Sequence, residues 1–443
     1  MKIVIVGSSH AGICAGLRAF EEYPEAEITL YDKRNQVSFV SQGIISYLAG
    51  QKSVLNQSSY SSVEELKAAG LNMKMETVVE EIDTKNKRLF YRRVNSKKTK
   101  LALYDKLIFA TGSYPAMTSV PFDKKSKLYF LKSMDDAIKT EEFLKTAKNI
   151  AVIGGGMTGV EVARITQERG IQTTLIHRNK NLLNEYLDEP ASHLLESWMN
   201  AEGTRLLLNT EVTEIGFDEE NTIIQTANGQ KIPVDGVIFT IGFRPNSYLL
   251  NQQVELGDSG AVIVDEYMQT SCPDVFAVGD VSTTYVNLLE KSYYLPHASD
   301  AVRDGEIAAI NLLAPRQKIN SSQGTYHVPM NNLVMAMTGI TMRQAVDSGY
   351  DADAVHLLNE HLDGHSPSNI WMIYERRTHQ ILGLQCIGKT SDMAEYVNIF
   401  SLAIQQKLKI EDIEFTDFYF EHGYKDPRGL NRILARLVRE NER

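Results

Sequence analysis

At 443 residues the chain is too long for one ordinary hydrophobic core and divides into two or three domains. With 43% hydrophobic and 23% charged side chains it has the make-up of a globular protein, and a net charge of -10 argues against nucleic acid or an anionic membrane as main partner, since both reward clustered Lys and Arg. The opening run Met1 to Val6 is too short for a signal segment or a membrane span, so a cytoplasmic protein is expected. Cys14, Cys272 and Cys386 lie far apart and form no C-x-x-C pair, so neither zinc nor any other metal nor a disulfide framework is expected.

Along the chain, Ile3-Val4-Ile5-Val6 predicts a buried strand, Gly7-Ser8-Ser9-His10-Ala11-Gly12 a tight turn, and Ile13 to Phe20 the start of a helix. Such a turn brings backbone N–H groups to a pyrophosphate, and the helix N-terminus adds partial positive charge. Ser9 stands where the motif keeps its middle glycine, and with that defect the turn alone reads equally well as structural. The next strand, Glu27 to Tyr31, ends at Asp32, twenty residues beyond Gly12, the distance at which a carboxylate reaches an adenosine ribose. Leu107 to Phe109 is a further apolar strand, ending in the turn Ala110-Thr111-Gly112.

A second unit of the same kind begins at Asn149: the strand to Ile153, the full G-x-G-x-x-G of Gly154, Gly156 and Gly159, and a helix through Glu161. Its second strand, Thr173 to Ile176, ends in His177-Arg178, where selectivity for an unphosphorylated ribose calls for Asp or Glu. His plus Arg can instead pair with a 2′-phosphate, which favours NADPH or a relaxed preference; the other reading has Arg178 simply facing solvent. Ile241-Gly242-Phe243-Arg244-Pro245 closes this unit. The strand Asp274 to Val278 runs into Gly279-Asp280, and Leu295-Pro296-His297-Ala298 leads into a helix predicted over 299–313. A polar linker, 314–324, precedes a third domain with strands at 370–374 and 381–388, a helix at 392–407 and the aromatic run Asp417 to Pro427.

In these motifs and their order the chain resembles the pyridine nucleotide-disulfide oxidoreductase family, most nearly its NADH oxidases, NADH peroxidases and coenzyme A-disulfide reductases. The resemblance covers essentially the whole chain. It implies an α/β fold with two Rossmann-like dinucleotide-binding domains followed by an α+β dimerisation domain. FAD would occupy a discontinuous domain of residues 1–113 and 245–324, NAD(P) would occupy 114–244, and residues 325–443 would pair two subunits. The FAD contacts so implied begin with Gly7, Ser9, His10, Ala11 and Gly12, then Asp32, Lys33, Ser41, Gln42 and Val79. They continue with Ala110, Thr111, Gly112, Lys132, Gly279, Asp280, Leu295 and Ala298. For the nicotinamide nucleotide they are Gly154, Gly156, Met157, Thr158, Gly159, Glu161, His177, Arg178 and Gly242. Phe420 and Tyr424 belong to an aromatic tail that relatives extend to the partner's flavin; an aromatic run of this kind also reads as plain core.

At Gln42, inside Val37 to Ile44, the family carries its redox-active cysteine. An amide can only donate and accept hydrogen bonds, so sulfenic-acid and disulfide chemistry lose their central group. His10, Gln42 and Glu161 are the candidate catalytic positions. His10 has two readings: it hydrogen-bonds a reduced oxygen species, or it closes the turn and packs under the flavin. Glu161 lies near the nicotinamide amide or is an ordinary first-turn acid. The expected function is an FAD-dependent NAD(P)H oxidoreductase passing electrons directly to oxygen, forming peroxide, or to a small acceptor. The alternatives are delivery to a quinone or protein, a non-catalytic nucleotide sensor, and a coenzyme A-disulfide or polysulfide reductase using another thiol such as Cys14.

Overall fold

The structure is a computed structural model that describes residues 1–38, 43–51, 59–116, 120–360, 367–389, 393–418 and 425–443. Ser41, Gln42, Phe420 and Tyr424 lie outside the described residues.

Two five-stranded parallel sheets dominate the first two-thirds of the chain, and they follow one plan. In the first, Lys2–Val6 is central, flanked by Glu27–Tyr31 and Lys106–Phe109, with Asn72–Lys74 and Val275–Ala277 at the edges. In the second, Asn149–Ile153 is central, flanked by Gln172–Ile176 and Gly236–Phe239, with Arg205–Leu207 and Leu128–Phe130 at the edges. The central strands read as unbroken apolar runs because both faces of each sheet are covered, one by helices and the other by an antiparallel meander. Ile3, Ile5, Ile150 and Val152 are wholly buried, and each such side chain contributes roughly 1.5–3 kcal/mol.

Each sheet carries a three-stranded antiparallel meander as an insertion. The first is Thr77–Asp83, Arg88–Arg93 and Lys100–Leu103; the second is Val212–Asp218, Asn221–Thr226 and Lys231–Val234. The chain passes between the two sheets on a short antiparallel pair, Ser113–Pro115 with Phe243–Pro245. That pair is pinned where it leaves the first sheet, for Thr111 Oγ1 donates to Asn246 O at 2.8 Å and Asn246 N–H donates to Gly112 O at 2.9 Å.

The remainder is a five-stranded antiparallel sheet in the order Tyr326–Met330, Leu333–Gly339, Ile381–Gly388, Ser368–Glu375, Ala352–Asn359. Ile381–Gly388 is buried throughout, since helices Met393–Gln405 and Glu189–Ala201 both pack against it, and it contains Cys386. Burial pushes the Cys386 thiol far above its ordinary range, which makes it a core hydrophobe. The strands expected at 370–374 and 381–388 and the helix at 392–407 correspond to Ser368–Glu375, Ile381–Gly388 and Met393–Gln405. No described helix is long and apolar enough to cross a membrane.

Candidate functional site: a dinucleotide cavity and a second nucleotide turn

The helix His10–Glu22 starts directly after the first strand, and its N-terminus opens on a cavity of about 570 Å³. The turn between them works because Gly7 adopts φ +112°, where a Cβ would stand 2.1 Å from Ala110 O. Only glycine allows the chain to reverse there against the neighbouring strand end. Ser9 has φ -91°, extended backbone open to any residue, so the missing middle glycine costs the turn no conformational strain. Ile13 N–H still donates to Ser9 O at 3.0 Å and begins the helix.

The cavity brings together residues from eight separate stretches of sequence. Gly7, Ser9, His10 and Ala11 line one part, Asp32, Lys33 and Val79 another, and Ala110, Thr111, Gly112 and Lys132 the next. Gly279, Asp280 and Ala298 complete it. Gly12 and Leu295 are not among its lining residues, though Pro296 is. Gly12 instead lets the helix close on the turn, for a Cβ there would meet Gly7 O at 1.9 Å.

Asp32 is almost fully buried and does more than face the cavity. Its Oδ2 accepts from Ser8 N–H and Ser8 Oγ, both at 2.9 Å, and from Arg34 Nη2 at 2.8 Å, while its Oδ1 accepts from Arg34 N–H and Nε at 2.9 and 3.0 Å. Burial opposes its charge, but these donors outweigh burial and hold the carboxyl below its ordinary range. A ribose hydroxyl at Asp32 has to share a carboxylate already gripped by Ser8 and Arg34. Neither partner has a sequence signal beyond proximity.

Asp280 is set by a similar competition. Burial raises its pKa, but Lys132 Nζ at 2.8 Å, Ser113 Oγ at 2.7 Å and the nearby His10 ring lower it below the ordinary range. Lys132 reaches Asp280 across 148 positions because Ser133 and Asp136 form a capping box at the start of helix Met134–Leu144, fixing the backbone beside it. Its ammonium also lies 4.4 Å from the centre of the Phe243 ring. Behind Asp280, Asp304 accepts from Gly279 N–H at 3.1 Å and is pushed up to about 7 by burial and by the charge of Asp300.

His10 is half-buried, and burial lowers its pKa more than Asp280 raises it, with Lys132 acting in the same direction as burial. Its Nδ1 lies 3.3 Å from the Tyr60 hydroxyl, and its Nε2 is buried with no partner among the described residues. An orphaned buried ring nitrogen, backbone free of side chains at Gly7, and a helix N-terminus are what a flavin dinucleotide requires, so these residues fit FAD. Cys14 is partly buried, and burial pushes its thiol up, away from the reactive thiolate form.

At the second turn Gly154 has φ +116°, and a Cβ there would meet Thr240 O at 2.5 Å. Helix Met157–Glu168 begins three residues later, with Met157 and Thr158 partly buried and Gly159 buried. His177 is not a charged group here. Its Nδ1 accepts from Gly155 N–H at 3.0 Å and its Nε2 lies 3.2 Å from Asn184 Oδ1, which identifies Nε2 as the protonated nitrogen. Burial, partly offset by Asn184, lowers its pKa further. The ring packs so closely that a Cβ on Gly155 would meet His177 Cγ at 2.7 Å, which makes Gly155 necessary although the motif leaves that place free.

The expectation that His177 and Arg178 share a phosphate therefore narrows to Arg178, which is exposed and has no ion pair among the described residues. Glu161 lies one turn into the helix with no hydrogen bond among the described residues, and burial pushes it up to about 7 against the pull of Arg164. Gly242, exposed at φ +95°, accepts from Ala116 N–H at 2.9 Å and ties the connection back to the first sheet. Asn184, Tyr60, Ser8 and Arg34 were not foreseen, because each meets its partner through folding rather than spacing.

Residues 1–305 match the pyridine nucleotide-disulphide oxidoreductase family, and residues 328–420 match that family's dimerisation domain. An NADH oxidase from Enterococcus faecalis is 33% identical over 446 residues, covering 100% of both chains. The solved water-forming NADH oxidase from Lactobacillus brevis bound to NADH is 30% identical with a TM-score of 0.95, covering 100% of this chain and 98% of that one. An engineered water-forming NADPH oxidase derived from it, bound to NADPH, has the same identity and TM-score and covers 100% and 99%. The chain belongs to the pyridine nucleotide-disulphide oxidoreductase family.

Proposed function

We propose that the protein, an FAD-dependent NAD(P)H oxidase, passes electrons from the flavin directly to oxygen and releases hydrogen peroxide, without a protein thiol. The observation that carries this is Gln42 in a chain whose two nucleotide turns are otherwise intact. FAD, when bound, supplies the two-electron chemistry.

The protein's part is position and charge. The first turn, with Ala110 to Gly112 and Gly279-Asp280, holds the dinucleotide along its length. Asp280, fixed by Lys132 and Ser113, would accept from the ribityl hydroxyls. The start of helix Ala298–Ile310 would meet the pyrimidine edge of a bound flavin, where its partial positive charge would favour the reduced form. Across the site, Gly154, Gly156, Met157, Thr158 and Gly159 seat the nicotinamide nucleotide, and Glu161 in its protonated form donates to the amide. Gly242 lets the chain pass between the two sites. Arg178 pairs with a 2′-phosphate, so NADPH is preferred. The FAD unit comprises residues 1–113 and 245–324, the NAD(P) unit 114–244 and the dimerisation unit 325–443. The protein works as a cytoplasmic homodimer whose Phe420 and Tyr424 reach the partner's flavin.

The test is oxygen uptake with NADPH and with NADH, peroxide being measured in the same cell. One peroxide per oxygen is expected. Stoichiometric water without peroxide sinks the thiol-free mechanism. In Gln42→Cys, a long-wavelength thiolate-to-flavin absorption band and a lower peroxide yield are expected.

A further inference from the structure

We propose that Tyr60 and His10 form a relay carrying protons from solvent to the inner face of the flavin site while the acceptor is reduced. This rests on the oxidase reading above, because that reaction needs such a supply. Reduction of oxygen by NAD(P)H to hydrogen peroxide consumes one proton beyond the hydride, and that proton has to reach the reacting atoms.

His10 is built as the middle of that path. Its Nδ1 lies 3.3 Å from the Tyr60 hydroxyl, and the two rings stack with centroids 5.6 Å apart and planes 15° from parallel. Its Nε2 is buried without a partner among the described residues and belongs to a residue that lines the cavity. Tyr60 is 51% exposed as a residue, so its side chain stands at the protein surface while burial of its phenol pushes its pKa up. The ring thus has one nitrogen beside the hydroxyl of a half-exposed tyrosine and the other buried, the two-ended arrangement an imidazole shuttle requires.

The balance is simple. The Tyr60 O–H bond breaks as an N–H bond forms at His10 Nδ1, and the Nε2–H bond breaks as its proton passes to the acceptor. Water restores the Tyr60 hydroxyl, and tautomer exchange between turnovers resets the ring. The surrounding groups keep both members neutral and ready. Burial and Lys132 hold the imidazole down against Asp280, while burial and the neighbouring Cys14 push the Tyr60 phenol well up. A catalytic thiol is not needed for any of these transfers.

Stopped-flow spectroscopy of Tyr60→Phe holoenzyme separates the two halves of turnover. Anaerobic flavin reduction by NAD(P)H is expected to be unchanged. Re-oxidation by oxygen is expected to slow by about tenfold, to lose the wild-type solvent deuterium isotope effect, and to recover when free imidazole is added. Wild-type re-oxidation rates with the same isotope effect in Tyr60→Phe overturn the relay. If the wild-type flavin is not re-oxidised by oxygen at all, the oxidase reading fails, and the relay is then read with a soluble quinone, whose reduction also takes up protons. A readout independent of turnover is the ¹⁵N spectrum of the His10 ring. A hydrogen-bonded Nδ1 that shifts on Tyr60→Phe is expected, and a wild-type Nδ1 free of any hydrogen bond overturns the proposal even if the variant fails to fold.

Discussion

At the first nucleotide turn the backbone N–H of Ser8 is taken by the Asp32 carboxylate at 2.9 Å, whereas at the second the equivalent N–H of Gly155 is taken by the neutral His177 ring at 3.0 Å. The position is the same in both units, one residue past the first glycine against the residue that ends the second strand. The backbone needs only an acceptor, and a carboxylate or an imidazole serves equally. What differs is the field left for the ligand. Asp32 brings negative charge partly neutralised by Arg34, while His177 brings none and leaves Arg178 as an exposed cation beside it. At the second turn, closure by His177 is therefore separate from the nucleotide selectivity proposed for Arg178.

The largest effect that tests this parallel comes from the glycines. Gly7→Ala and Gly154→Ala both force a Cβ into φ near +115° and against a carbonyl oxygen, at a cost of roughly 1–3 kcal/mol in backbone strain alone, with the clash added. Gly7→Ala is expected to purify without flavin. Gly154→Ala is expected to retain its yellow colour but to show no anaerobic bleaching by NAD(P)H. A Gly154→Ala protein reduced at the wild-type rate breaks the equivalence of the two turns.

Next in size is the carboxyl of the second helix, for which the first turn has no counterpart. Glu161 rises from an ordinary 4.5 to about 7 in the folded protein. A raised carboxyl binds its proton more tightly when folded, so its stability is fully present below pH 4.5 and is lost as pH rises through about 7. Glu161→Gln removes that loss. It is expected to match the wild type near pH 4 and to exceed it by roughly 1–3 kcal/mol at pH 8, read from urea midpoints. Equal midpoints at both pH values would place Glu161 in water.

Smaller still is the selectivity term. Arg178→Ala is expected to raise KM for NADPH by about tenfold, the worth of one charge-assisted hydrogen bond, and to leave KM for NADH unchanged. Equal changes for both nucleotides would return Arg178 to the role of a solvent-facing side chain. The least effect is expected from Ser9→Gly, because φ -91° already suits either residue. Its FAD affinity should stay within a few-fold of wild type, about 1 kcal/mol or less. A large gain would mean that the Ser9 side chain holds the dinucleotide away.

The two units were legible because their information is local. An apolar run, a glycine at a forced φ and a strand-ending polar residue lie within about thirty positions of one another, as the dinucleotide fold requires. Asp32 and His177 could be placed on that basis, whereas Glu161 and Gly279-Asp280 were placed by the resemblance to the family. Their electrostatic states could be read in neither way. That Asp32 is gripped by Ser8 and Arg34, that His177 is neutral and tied to Asn184, and that Glu161 sits near 7 depend on burial, which spacing does not report.

By itself, then, the chain's order of residues determined two strand-turn-helix units of the dinucleotide-binding kind and an amide at position 42, since glycine turns, strand ends and Gln42 are facts of local sequence. Tertiary structure alone decided which charges those sites present and which groups reach them. Lys132 meets Asp280 across 148 positions and Tyr60 meets His10 across 50. Such pairings form only when separate segments pack together and lose water, and desolvation is what turns a residue's identity into its protonation state.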